Sequence, residues 1–192
     1  MRPVLAIVLC TTAVLGLSAC APDDRVLTPS ASPTPAPTAT KGEGTLPPQP
    51  VNESIGINCT TLISDQAMYD WGSGNFALND AFVPDAGSSA AQIAADGGLA
   101  CQWINLTSQE TVDVAVSIPT DAALATAQQA AVAAGTAAPA LGDAYFRSAS
   151  GVGYIDVFSD GYWLTMQSTW FFETNDALPL VEAATAALPP LG

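Results

Sequence analysis

From Glu110 to Ile118 the chain reads ETVDVAVSI, and Val112, Val114, Val116 and Ile118 fall on alternate positions. A period of two is the mark of a strand with one buried face. LACQWINL (Leu99–Leu106) precedes it. A short connection through Ser108 and Gln109 makes the two antiparallel, and residue 105 opposite residue 112 turns Cys101 and Trp103 inward with the valines. Further along, YIDVFS and YWLTMQSTW flank Asp160-Gly161, a pair suited to a type I′ hairpin turn. That turn pairs Ser159 with Tyr162, Val157 with Leu164 and Ile155 with Met166. One face of the hairpin is aliphatic. The other carries Tyr154, Asp156 and Phe158 beside Trp163, Thr165 and Gln167. GDAYFRSA (Gly142–Ala149) reads as one more strand.

Helical spacing fills the gaps. Ser64 caps a short helix in which Met68 and Trp71 share a face, ended by Gly72 and Gly74. SSAAQIAADGG has a serine cap and a glycine stop. Pro119–Gly135 is an alanine-rich helix that Thr120 caps and Gly135 ends; alanine lets it pack closely but buries little area. The last helix, NDALPLVEAATAALPPL, is capped by Asn175 or Asp176, with Leu178, Val181 and Leu188 as its apolar stripe and Pro179 near the first turn. The order predicts an α+β domain: a mostly antiparallel sheet of about five strands with helices packed on one face, braced by one disulfide.

The first fifty residues follow neither period. Met1, Arg2 and Pro3 lead into a 14-residue apolar run, Val4–Leu17, and then small residues. This is the layout of a secretory signal peptide, and the run is too short to span a bilayer comfortably. Leu17-Ser18-Ala19-Cys20 resembles the lipobox of bacterial lipoproteins. The resemblance implies a diacylglyceryl thioether on Cys20 and cleavage just before it, which anchors the mature chain to the membrane by its lipid. Residues 21–50 contain eight prolines among serines and threonines and no apolar period. Such a chain favours extended polyproline II and reaches on the order of 90 Å as a spacer. The expected division is a signal peptide over 1–19, a lipid-anchored tether over 20–50 and a globular domain over 51–192.

Of four cysteines, Cys10 lies in the apolar run and Cys20 ends it, so Cys59 and Cys101 are left to the domain. In an exported chain they are expected to form a structural bridge, worth ~4 kcal/mol for a loop of this length in the chain-entropy model. A redox pair would sit closer together, and a metal site would want further ligands, with no histidine to supply them. Cys59…Cys101-Gln102-Trp103 also resembles actinobacterial cell-envelope lipoproteins that carry a domain of unknown function. That resemblance implies a small α+β fold on a membrane tether and implies no activity.

Charge narrows the function. The chain has 4 basic and 18 acidic residues and no histidine, and from residue 51 onward Arg147 is the sole cation. Such a surface repels phosphate backbones, so nucleic acid is excluded as a partner. Ser-His-Asp, Cys-His and Ser-Lys nucleophilic systems lack their bases, and no phosphate-binding or dinucleotide motif occurs. DWGSGN (Asp70–Asn75) lacks the ligand spacing of a calcium loop and reads as a capped helix end. No cofactor, no metal and no catalytic residue are expected. TWFFE (Thr169–Glu173) is assigned to the core. The candidate binding residues are Tyr154, Asp156, Phe158 and Trp163 on the outer face of the hairpin, which either presents aromatic surface to a ligand or, the reading favoured because a sheet can bury both faces, is covered by another helix or the N-terminal segment. The expectation is a non-enzymatic, lipid-anchored envelope module on the extracytoplasmic face of the cell membrane, binding a protein, glycan or small hydrophobic ligand. The alternatives are a carboxylate-dependent hydrolase of cell-wall polymer, or a structural or regulatory partner of a membrane complex.

Overall fold

The computed structural model describes residues 54–192. The signal peptide, Cys20 and the tether lie outside the described residues. Those described form an α+β domain around a seven-stranded antiparallel sheet.

In chain order the elements are α1 (Cys59–Leu62), α2 (Asp65–Gly72), β1 (Phe76–Leu78), α3 (Ser89–Ala95), β2 (Leu99–Asn105), β3 (Thr111–Ser117), α4 (Asp121–Ala134), β4 (Thr136–Ala137), β5 (Ala144–Ala149), β6 (Val152–Ser159), β7 (Tyr162–Ser168) and α5 (Thr174–Ala187). A 3₁₀ turn, Pro139–Leu141, sits between β4 and β5. The strand order is β1-β2-β3-β7-β6-β5-β4, so two antiparallel blocks meet where β3 pairs with β7. Two strands beyond the expected five are the edges, β1 and β4. They have three and two residues, too short to show a period.

Local chemistry forms these elements largely as the sequence requires. Ser64, Ser88 and Thr120 each accept, through the side-chain oxygen, from the backbone N–H three residues on, capping α2, α3 and α4. Asp160 and Gly161 adopt φ of 49° and 85°, as a type I′ turn demands, and β6–β7 keeps the expected register. The β2–β3 register differs. Trp103 stands opposite Val112 and Cys101 opposite Val114, because Asn105 N–H already bonds Glu110 C=O across a tight turn. The shift is two residues, so every side chain keeps its face, and Cys101 and Trp103 are buried. Helix α5 begins earlier than expected, since Asp176 accepts from the N–H groups of Phe172 and Glu173. Pro179 therefore lies inside the helix instead of in its first turn.

Helices cover both faces of the sheet, which corrects the one-face expectation. On the first face, Val112, Val114, Val116, Ile155, Leu164 and Met166 pack with Leu62, Ile63 and Met68 near the N-terminal end of the domain and with Ala177, Leu180 and Val181 of α5. The Cys59–Cys101 disulfide, Cα–Cα 5.7 Å, ties α1 to β2 on this face. On the second face, Ala90 and Ile93 of α3 and Ala127 and Ala131 of α4 pack on Ala115, Phe158 and Trp163. Those rings and that alanine form an apolar patch that water would otherwise reach, and small residues on the helices let the backbones come close. Gly135, at the end of α4, belongs to the same close approach: a Cβ there would meet the Phe146 carbonyl oxygen at 2.9 Å.

Candidate functional site

The second face is organised in cross-strand rungs. Gln102, Asp113, Gln167, Tyr154 and Arg147 stand directly opposite one another on β2, β3, β7, β6 and β5. The Gln102 and Gln167 amides donate to Asp113 Oδ1 and Oδ2 at 2.8 and 2.7 Å, and Asn79 donates to Gln102 Oε1 at 2.7 Å. Arg147 lies 3.6 Å above the Tyr154 ring. The next rung is Ala115, Thr165, Asp156 and Tyr145, and the third is Ser117, Trp163 and Phe158. The face thus grades from polar to aromatic along the strands. Trp163 Nε1 bridges two rungs by donating to Asp156 Oδ1 at 3.0 Å.

Helices α3 and α4 leave a crevice above these rungs. It comprises two cavities that share Ser89 and Arg147 in their walls. The smaller, about 90 Å³, is lined by Ser88, Asp113, Tyr154, Thr165 and Gln167. The larger, about 480 Å³, runs along the alanine face of α4, with Ala127, Ala130, Ala131 and Ala134 on one side and Asp156 and Trp163 on the other. That volume suits a small organic molecule.

Both carboxylates of the crevice lie in a water-poor setting. Burial pushes Asp113 above its ordinary range, opposed by the hydrogen bonds from Gln102 and Gln167. Burial does the same to Asp156, opposed by bonds from Trp163 and Thr165 and by the charge of Arg147. Each carboxylate therefore has neutral hydrogen-bond donors from the chain itself, and Asp156 also feels the Arg147 charge. Among the described residues, no hydrogen bond or ion pair engages the Arg147 guanidinium; its partner is the Tyr154 ring.

Of the residues singled out by sequence, Tyr154, Asp156 and Trp163 meet in this crevice. Phe158 does not. It is 6% exposed, packs against Tyr145 and Trp163 with centroids 6.4 and 6.5 Å away, and lies under α4. Trp163 is 5% exposed, although it contributes to the wall of the larger cavity. Of the two readings open for this face, exposed or covered, the structure has the covered one over Phe158 and Trp163. Asp113, Gln167 and Arg147 were not among the candidates. A signal existed for each: Asp113 interrupts the Val112–Val116 run, Gln167 lies on the polar side of the hairpin, and Arg147 is the lone cation from residue 51 onward.

Exposed apolar surface gathers elsewhere, around Trp71, Phe76 and Trp170, whose ring centroids lie 5.3 to 5.6 Å apart. Tyr69, Leu106 and Phe172 are exposed in the neighbouring segments. Trp170 donates from its indole to Glu110, which holds that carboxyl below its usual range. TWFFE is accordingly split: Phe171 is buried, Trp170 half-buried and Phe172 exposed.

Among the described residues, no group of three His, Cys, Asp or Glu is placed to hold a metal ion. No described helix is long and apolar enough to cross a membrane. Compared with protein-family models, curated proteins and solved structures, the chain matches none.

Proposed function

We propose that this protein is a lipid-anchored binding module on the extracytoplasmic face of the cell membrane, and that it takes a small amphipathic ligand into the crevice between α3 and α4. The observation that carries the reading is the crevice itself: an alanine wall faces Arg147, Asp156 and Trp163 in a cavity of about 480 Å³, next to a smaller cavity floored by Asp113, Thr165 and Gln167. Small-ligand sites combine mostly apolar walls with a few placed polar groups in this way. The anchor rests on Leu17-Ser18-Ala19-Cys20, and the disulfide is in keeping with an oxidising compartment.

Binding is favoured over hydrolysis of a cell-wall polymer by the placement of the two carboxylates. Asp113 and Asp156 stand two strands and one rung apart, which sets their backbones about 12 Å apart at ordinary sheet spacings. Glycoside hydrolysis needs one carboxyl free to move a proton and a second free to reach water or the sugar. Asp113 also spends both oxygens on side-chain amides.

Two experiments test this reading. Ala130 is exposed and lines the cavity, so Ala130→Trp should fill the crevice and leave the fold intact. Purified full chain, incubated with a small-molecule extract of the envelope, should retain amphipathic compounds by mass spectrometry that the variant does not. Equal retention by both proteins, or none by either, rejects the site. For the anchor, Cys20→Ala should move the protein from the membrane to the soluble fraction; unchanged retention rejects lipidation.

A further inference from the structure

Arg147 acts by its charge on Asp156 in the same cavity, but among the described residues no ion pair or hydrogen bond joins the two. From residue 51 onward it is the one cation among many carboxylates. Even so, among the described residues no carboxylate pairs with its guanidinium. Its side chain rests on Tyr154, 3.6 Å from the ring centroid, which holds the guanidinium in one place at the junction of the two cavities. A guanidinium presents several N–H donors in a fixed fork that matches a carboxylate at two points. The two acids of the crevice do not compete as ligand anchors, since Gln102, Gln167 and Trp163 already donate to them. Beyond Arg147, the α4 alanines and Trp163 offer an apolar wall long enough for a short hydrocarbon body.

We infer that the crevice selects a monocarboxylate with a compact apolar body, and that Arg147 is the residue that determines this specificity. The inference rests on the crevice being the binding site. The site supplies a single positive charge inside a strongly acidic domain, which suits one negative charge and opposes a phosphate dianion or a polyanion. The carboxylate would sit on the Arg147 fork, and the apolar body would lie along the α4 alanines that line the larger cavity.

Three soluble probes of one shape decide the matter: 3-phenylpropionate, 3-phenylpropanol and 3-phenylpropylamine. Each is titrated into the purified full chain by calorimetry, with wild type, Arg147→Gln and Ala130→Trp. The acid should bind at least tenfold more tightly than the alcohol. Arg147→Gln should weaken the acid at least tenfold and change the alcohol less than twofold, and Ala130→Trp should abolish binding of both. An amine that binds best, or an acid indifferent to Arg147→Gln, overturns the inference. If all three bind alike and Ala130→Trp abolishes them, the crevice stands as a binding site and the carboxylate preference falls. If no probe saturates, or Ala130→Trp has no effect, both readings fall together.

Discussion

The two faces of the sheet solve the same problem with different chemistry. The first face buries long aliphatic side chains against α5 and the N-terminal helices, and the disulfide clamps it. The second buries two aromatic rings under alanines and spends its remaining positions on amides and carboxylates. Polar satisfaction runs opposite to polarity. Among the described residues, the one buried side-chain polar atom without a hydrogen bond is Trp103 Nε1, on the apolar face. On the polar face Asp113, only 7% exposed, has a donor on each oxygen. An apolar face tolerates one unmet N–H because the surrounding burial offsets it, whereas a buried carboxylate must be answered group by group. Concentrating stability on one face leaves the other able to hold a cavity.

The widest gap between the faces should appear on removing the clamp. Replacing both Cys59 and Cys101 by alanine frees a loop of 42 residues, and the chain-entropy model puts the loss at ~4 kcal/mol. Denaturant unfolding under non-reducing conditions measures it. A loss below about 1 kcal/mol would mean that the aliphatic face holds α1 without help, and would narrow the contrast. Trp163→Ala comes next. The ring is buried, stacks on Phe158 and donates to Asp156, so its removal should cost about 3 kcal/mol. A loss of a few tenths would mean that α4 does not cover the ring in solution.

These two sites also show what the sequence could reveal. Cys59 and Cys101 were legible because compartment and elimination left no other use for them. The β6–β7 register was legible because Asp160-Gly161 admits one turn geometry, and the Val112–Val116 alternation marked the core face. The second face was not, for a physical reason. A strand pattern tells which residues share a side, but not whether a helix arrives to cover it. The alanine-rich stretch is a weak signal for packing, since its apolar residues surround the helix instead of lining one stripe. Whether Phe158 and Trp163 were covered or exposed was therefore left open by the sequence. Tyr154 and Asp156 were singled out as part of an aromatic face and line the crevice, while Asp113 and Arg147 joined them only once β3 met β7 and β5 met β6.

Asp113 allows a sharper test of the polar face. Asp113→Ala strands the Gln102 and Gln167 amides and should cost about 2 kcal/mol. Asp113→Asn keeps the shape and removes the titration. Burial raises the folded value of this carboxyl above its ordinary 3.8, so the folded chain binds more protons than the unfolded chain in the interval between the two. Stability should therefore fall as pH rises from about 3.8 through the raised folded value. The difference between wild type and Asp113→Asn in thermal unfolding isolates this group from the general relief of negative charge at low pH. A difference that does not change with pH would show that water reaches Asp113.

Arg147 should show the smallest effect on stability, and that is what sets it apart from its neighbours. It is half-buried, its guanidinium lies over the Tyr154 ring with no ion pair or hydrogen bond among the described residues, and such cation–π pairs contribute about 0.5–1 kcal/mol near a surface. Arg147→Gln should thus lower folding stability by no more than about 1 kcal/mol by denaturant unfolding. A residue that braced the sheet would behave like Trp163, and its loss would be felt in unfolding before it was felt in binding. If Arg147→Gln unfolds as readily as Trp163→Ala, the guanidinium is a structural strut, and the contrast between a face that holds the fold and a face that holds a ligand loses its best example.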